Sequence, residues 1–141
     1  MNRTMYNPPR ELWYNIPPTQ PDYKGKVHDE NAAILGGVAG HAGLFAPASD
    51  LAVFCKMMLQ KGKYGNREYI KPETIENWTS KQSIQSSRGL GWDTKSPTGS
   101  SAGSLFSENS FGHTGFTGTS IWMDKEKDLI FEPFQIITVI F

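Results

Sequence analysis

The sequence has few of the features that identify a function directly. Its single cysteine, Cys55, excludes a disulfide within the chain and lies in an apolar stretch, where it is interpreted as a small buried hydrophobe. The 14 basic and 14 acidic residues cancel and form no run of one sign, which argues against nucleic acid or an anionic membrane surface as a partner. No apolar run is long enough to cross a bilayer, and no signal peptide is predicted after Met1. These absences leave the localisation unknown.

Metal-ligand spacing is also missing. The three histidines are His28, His41 and His113, and no two of them have the i, i+4 spacing of a metal-binding helix. No second cysteine is available as a soft ligand. The interpretation of His28, Asp29 and Glu30 as part of a zinc site is therefore set aside, and no metal or other cofactor is predicted.

The first half of the chain combines a proline-rich segment with a helix. The chain has 141 residues, enough for one domain with a core. Residues 1–26 contain Pro8, Pro9, Pro17, Pro18 and Pro21, and this composition predicts an extended, irregular connection inside a domain. An amphipathic helix is predicted within 46–65, with Ser49 as its N-cap and Asp50 in its first turn.

The second half of the chain predicts mostly strands. Helices followed by a strand pair favour an α+β fold over regular βαβ units. The predicted elements are a small hairpin over 63–70, a helix beginning near Pro72, a short buried strand over 89–93, a Ser/Gly-rich loop over 94–110, and two strands, 117–124 and 128–131, joined by a charged turn.

Two glycine-rich stretches resemble catalytic or binding motifs but lack the required context. Residues 99–103 have the spacing G-x-S-x-G, yet the flanks of Ser101 do not predict the strand-to-helix turn that makes such a serine a nucleophile. Residues 36–43, "GGVAGHAG", lack the Gly-Lys-Ser/Thr ending of a phosphate loop. Both stretches are interpreted as loops.

The stretch "FGHTGFTGTSIWMD" (111–124) is the most informative part of the sequence. It places His113, Thr114 and Gly115 where a polar loop becomes a strand. Gly115 would allow a ligand to lie against the strand, and the other two residues can transfer protons and donate hydrogen bonds. The alternative is that Gly115 and Gly118 only relieve crowding in a twisted strand, and the motif alone does not decide between them.

Three segments considered together resemble a known family. They are "GKVHDENAAILGGVAGHAGLFAPASDLAVF" (25–54), "GLGWD" (89–93) and "SFGHTGFTGTSIWMDKEKDLI" (110–130). In this order they resemble the C-terminal half of the serine β-lactamase-like family, which contains class C β-lactamases, penicillin-binding proteins and related esterases. The likeness is greatest to members with a Val-His-Asp-Glu-Asn-Ala stretch, here 27–32, and it covers about residues 1–131.

The resemblance implies a fold and a site. The family fold is an antiparallel sheet flanked by helices, and its members act on β-lactams, peptides or esters through an acyl-enzyme. Its Lys-Thr-Gly or His-Thr-Gly motif, on an edge strand, corresponds to His113, Thr114 and Gly115. His113 would orient the substrate, Thr114 would bind its carboxylate or carbonyl, and the amide of Phe116 would be one of two oxyanion-hole donors. His28 and Asp29 are assigned to a loop near the cleft.

The sequence also departs from the family pattern. It contains no Ser-x-x-Lys, the motif of the nucleophile, and Tyr64-Gly65-Asn66 matches the second motif, Tyr-x-Asn, only in a predicted hairpin. The expected interpretation is the C-terminal portion of one domain (1–141), inactive alone, with an atypical tail over 132–141. A non-catalytic binding module for peptide or β-lactam, a subunit that completes a missing N-terminal half, and a gene remnant remain alternatives. Family members are often exported or periplasmic, but localisation stays open.

Overall fold

The computed structural model describes residues 3–133 and the backbone of residues 136–139. These residues form nine short strands, three α-helices and two 3-10 helices, the latter at Arg10–Asn15 and Pro21–Tyr23. The remaining elements are β1 Met5–Tyr6, α1 Glu30–Ile34, β2 Leu44–Pro47, α2 Ala48–Leu59, β3 Lys63–Tyr64, β4 Arg67–Glu68, α3 Pro72–Thr79, β5 Asp93–Thr94, β6 Phe111–Thr114, β7 Ser120–Asp124, β8 Leu129–Phe131 and β9 Ile136–Val139.

The chain divides into two compact units. The first contains Met1–Leu51, Thr114–Thr119 and Pro133–Phe141, and the second contains Ala52–His113 and Ser120–Glu132. Antiparallel sheets combined with few helices make this an α+β fold, as the sequence predicts. None of the helices formed by the described residues is long and apolar enough to span a membrane.

The first unit contains a three-stranded antiparallel sheet in the order β1-β2-β9. The Pro-rich segment 1–26 is therefore less irregular than expected, because it supplies β1 and both 3-10 helices. Pro21 begins the second 3-10 helix, since its fixed φ already suits a helical turn. In the tail, β9 pairs with β2 along its whole length, whereas 134–135 and 140–141 lie outside the described residues.

The second unit contains the four-stranded sheet β5-β6-β7-β8. The predicted hairpin of β7 and β8 is confirmed, and β8 ends at Phe131, immediately before Glu132 and Pro133, since proline cannot donate to a ladder. The core of this unit is formed by buried side chains of the sheet, of α2 and of α3. Its most buried members include Trp122, Met123, Phe111, Ile75 and Cys55.

Some predicted boundaries are wrong. The helix α2 begins at Ala48, so Ser49 lies in its first turn and is not the N-cap, although Asp50 occupies the first turn as expected. The strand predicted over 89–93 forms only from Asp93 onward, because the preceding residues bend and Gly91 has a φ of +75°. The hairpin β3–β4 and the start of α3 at Pro72 are confirmed.

Candidate active site

Strand β6 carries His113 and Thr114 as its last two residues. Its second residue, Gly112, lies so close to β7 that an added Cβ would stand 2.2 Å from the carbonyl oxygen of Ile121 and 2.5 Å from the Trp122 ring. Only glycine fits this approach of strand to strand. Gly112 therefore allows β6 to pack tightly against the buried Trp122.

The position of β6 in its sheet differs from the expectation. An edge strand is expected for the His-Thr-Gly motif, but β5 pairs with β6, with Asp93 opposite Gly112 and Thr94 opposite Phe111. Because β7 lies on the other side, β6 is an inner strand of this sheet. The register of β5 ends at Gly112, however, so β5 does not extend alongside His113 and Thr114. The edge-strand expectation for the motif itself therefore stays a prediction. The sequence does not reveal this short pairing, since β5 is formed by only two residues.

A tight turn follows β6 and contains Gly115 and Phe116. The Gly118 amide donates to the Gly115 carbonyl oxygen at 3.1 Å, and the Gly115 amide donates to the Thr119 carbonyl oxygen at 2.7 Å. Gly118 has a φ of +85°, which only glycine adopts without strain. The Phe116 amide donates no hydrogen bond to any other described residue, and the Phe116 side chain is 78% exposed. The turn thus leaves the Phe116 amide without an acceptor among the described residues.

His113 has an arginine beside it that the sequence analysis missed. Nη1 of Arg88 lies 3.2 Å from Nε2 of His113. A guanidinium only donates hydrogen bonds, so Nε2 of His113 is the acceptor in this contact. Backbone pairing of Arg88 with Asp93 holds the arginine at the start of β5. No sequence signal identifies this contact, because 25 residues separate its two partners.

Asp29 stabilises the beginning of α1. One of its carboxylate oxygens accepts a hydrogen bond from the Ala32 amide at 2.7 Å, and Nε2 of His41 lies 3.0 Å from the same oxygen. The hydrogen bond from Ala32, and then the one with His41, hold the pKa of Asp29 below its usual value of 3.8. Asp29 is therefore an N-cap, and an Asp followed by Glu30 is the sequence signal that could have predicted this helix.

His28 contacts the turn that follows β6. Its ring lies 4.0 Å, between centroids, from the Tyr23 ring and 5.8 Å from the Phe116 ring, which it meets edge to face. Its Nδ1 atom is buried and has no hydrogen-bond partner among the described residues. The structure thus brings together two residues that the sequence analysis assigned to the site separately, His28 and Phe116.

The discounted motifs lie where the sequence analysis placed them. Ser101 is exposed in a turn of the long loop between β5 and β6, with no helix directly after it. Tyr64 is the last residue of β3 in the small hairpin β3–β4. In the part of the chain that the structure describes, no group of three or more His, Cys, Asp or Glu side chains is arranged to hold a metal ion.

Comparison with known proteins identifies the family. The family model described as Beta-lactamase matches residues 1–134. The chain belongs to the β-lactamase family. The family and the β-lactamase-like fold agree with the resemblance found in the sequence.

Two curated relatives of this β-lactamase-family chain are provisionally named D-alanyl-D-alanine carboxypeptidase. The protein of Escherichia coli (strain K12) is 42% identical over 106 residues, and that of Salmonella gallinarum (strain 287/91 / NCTC 13346) is 41% identical over 106 residues. Each match covers 71% of this chain and 24% of the relative. The chain therefore spans about a quarter of the length of these relatives.

A solved structure shares the fold of this β-lactamase-family chain. It is a protein from Bacteroides dorei DSM 17855, provisionally named a β-lactamase, with a TM-score of 0.51 and 23% sequence identity. The likeness covers 78% of this chain and 41% of the other. At this identity the comparison supports the fold and no particular substrate.

Proposed function

We propose that this chain forms one wall of the active site of a serine hydrolase that acts on peptides ending in D-alanyl-D-alanine. The observation that carries the proposal is the end of β6, where His113 and Thr114 lead directly into a turn whose Phe116 amide has no acceptor among the described residues. The provisional names of the relatives supply the substrate class. Within the family, the order of the three segments 25–54, 89–93 and 110–130 favours class C-like enzymes, as the sequence resemblance implies.

Each residue of the wall has a proposed role. The Phe116 amide donates to the oxygen of the scissile carbonyl, and Gly115 leaves room for the acyl group beside the backbone. Thr114 donates from its hydroxyl to the substrate, and His113 orients it. Arg88 holds the His113 ring with Nε2 as acceptor, and its guanidinium adds a positive charge beside that ring. A positive charge at this place favours a substrate with a free carboxylate over a neutral ester.

Catalysis needs a nucleophile that this chain does not supply. Acyl transfer depends on a serine within hydrogen-bond reach of its base, and no Ser-x-x-Lys occurs in these 141 residues. The 141-residue chain is therefore predicted to bind the peptide without cleaving it. Incubation with penicillin should give no mass adduct, and an adduct located on a serine of this chain would contradict the assignment.

The binding test compares two forms of one peptide. The ¹⁵N-labelled chain is titrated with an N-acyl-D-alanyl-D-alanine peptide and with the same peptide carrying a C-terminal amide. The acid is expected to shift the His113 and Phe116 resonances and to bind about tenfold tighter than the amide, which corresponds to about 1.4 kcal/mol. Replacement of Arg88 by glutamine should abolish the difference between acid and amide. Equal binding of both peptides to the wild-type chain would refute the carboxylate assignment.

A non-catalytic binding module is the second candidate function, and the missing Ser-x-x-Lys favours it. The two candidates differ in what happens when the rest of a family active site is added. Mixing this chain with the separately produced N-terminal part of the Escherichia coli relative should restore peptide cleavage if the chain is a catalytic wall. Saturable binding that never leads to cleavage in that mixture would favour the binding module.

A further inference from the structure

The residues around His28 have clear structural tasks, but His28 itself does not share them. Val27 and Ala32 are buried in the small core of the first unit together with Ala42. Asp29 caps α1. The His28 ring is instead only partly buried and is directed at aromatic rings outside that core, those of Tyr23 and Phe116. Core packing and helix capping therefore do not explain why a histidine stands here.

The contact with Phe116 connects His28 to the backbone donor of the turn. Phe116 lies between Gly115 and Thr117, and its amide takes part in neither of the hydrogen bonds that close the turn, which join Gly115 to Gly118 and to Thr119. Its largely exposed side chain has one aromatic contact, made by the His28 edge-to-face pairing, among the described residues. An edge-to-face pair has a preferred geometry, so it restricts the Phe116 side chain and, through the Cα, the peptide plane that carries the amide.

The ring of Tyr23 fixes His28 from the other side. The centroids are 4.0 Å apart and the planes are inclined by 32°, which is nearer to a stacked than to a perpendicular pair. The three rings therefore form a continuous row from Tyr23 through His28 to Phe116. Because the buried Nδ1 of His28 has no hydrogen-bond partner among the described residues, the ring is held by its faces and edges and not by a polar contact.

We propose that His28 is a positioning residue of the site: its imidazole, held between Tyr23 and Phe116, fixes the turn after β6 so that the Phe116 amide points at the substrate carbonyl. The inference rests on the proposed function, in which that amide is the oxyanion donor. It adds a residue far away in sequence to the His113–Phe116 wall and gives the Val-His-Asp-Glu-Asn-Ala stretch a task in binding.

The test uses the full 141-residue chain and two readouts. The first is the ¹H–¹⁵N heteronuclear NOE of the Phe116 amide without ligand, which reports order of the turn. The second is the affinity for the N-acyl-D-alanyl-D-alanine peptide. The variants are His28→Ala, which removes the ring, and His28→Phe, which keeps a ring. Tyr14→Ala is the matched control, because the Tyr14 ring is 75% exposed and lies in the same unit.

In His28→Ala the Phe116 NOE should fall and peptide affinity should weaken roughly fivefold. His28→Phe should restore both values, and Tyr14→Ala should change neither. If His28→Ala does not fold, His28→Leu replaces it, since leucine fills the space without an aromatic face and the same losses are expected. A Phe116 amide that stays equally ordered, or affinity that stays equal, would overturn the inference.

The outcomes separate this inference from the proposed function. If the wild-type chain binds the peptide and His28→Ala binds it equally well, the proposed function stands and His28 is not a positioning residue. If the wild-type chain binds no peptide, the proposed function fails. In that case the substrate role of His28 fails with it, and the NOE alone decides whether its ring orders the turn.

Discussion

Replacement of Asp124 by asparagine should destabilise the protein strongly, although it only replaces one carboxylate oxygen by an NH2 group. Asp124 is fully buried at the end of β7. One carboxylate oxygen accepts from the Ser107 amide at 2.8 Å, and the other accepts from the Glu126 and Lys127 amides at 3.0 and 3.1 Å. The single side chain therefore holds the charged turn after β7 and the end of the loop before β6.

Asparagine can satisfy only one of these two groups of donors. If its oxygen faces Glu126 and Lys127, its amide group faces the Ser107 amide, donor against donor. The change removes at least one charge-assisted hydrogen bond and leaves a buried donor unpaired, at a cost of about 3 kcal/mol. With an unfolding entropy of about 0.3 kcal/mol/K for 141 residues, the expected loss in Tm is about 10 °C.

The pH dependence provides a second readout of the same side chain. Burial raises the pKa of Asp124, but hydrogen bonds from the Ser107 and Lys127 amides, the Ser107 side chain and the Glu126 amide outweigh burial and hold the pKa below its usual value of 3.8. A depressed pKa contributes stability that is complete above the unfolded value and is lost as the pH falls through the folded value. The difference in Tm between the two proteins should therefore be constant from pH 5 to 7 and shrink progressively as the pH falls below about 4.

The assay is thermal unfolding followed by tryptophan fluorescence, with Asp128→Asn as the matched control. The Asp128 side chain is 65% exposed and pairs with Lys56 at 2.6 Å, a surface ion pair whose loss costs about 0.5 kcal/mol. Its φ of +48° is one that asparagine adopts readily. The control should melt within about 2 °C of the wild type. An Asp124→Asn protein that melts equally close to the wild type would refute the reasoning.

Three further predictions concern the same unit. Gly112→Ala should lower the free energy of unfolding by about 2 kcal/mol or more, which corresponds to a Tm lower by more than 5 °C. The reason is that the new methyl group meets the Ile121 carbonyl and the Trp122 ring. An unchanged Tm in calorimetry would contradict this. Burial raises the pKa of Glu132 to about 7, so the stability of the protein should fall as the pH rises from 5 to 8. In thermal melts across this pH range, Glu132→Gln should remove the dependence of stability on pH. An identical dependence in the variant would exclude Glu132 as its source. Burial and then the charge of Glu132 raise the pKa of the Cys55 thiol to about 12. Iodoacetamide at pH 8 should therefore modify Cys55 only after the chain is unfolded in urea. Modification of the folded chain would contradict this, because it would show that the thiol is accessible.

Local sequence chemistry predicted the elements that depend on neighbouring residues. The charged turn 125–127 between two apolar runs predicted the β7–β8 hairpin, and Pro72 predicted the start of α3, because a proline at the first helical position has no amide to satisfy. The helix α1 was missed, since five residues are too few to show a helical period. Its Asp29 cap was the usable signal.

Contacts between residues far apart in the sequence could not be predicted from the sequence. The pairing of β5 with β6, which makes β6 an inner strand, depends on two residues of β5 that carry no strand pattern of their own. Arg88 beside His113, and His28 beside Phe116, are likewise set by chain topology. The family resemblance pointed to His113, Thr114 and Gly115, but the side chains that surround them emerge only from the structure.

The central claim is that the end of β6 binds the substrate through Thr114. The most direct test is the affinity of the N-acyl-D-alanyl-D-alanine peptide for Thr114→Val, with Thr117→Val as the control. The Thr117 hydroxyl lies in the same turn and has no hydrogen-bond partner among the described residues. We predict that Thr114→Val weakens binding about tenfold whereas Thr117→Val leaves it unchanged. Equal affinity of both variants and the wild-type chain would contradict the account.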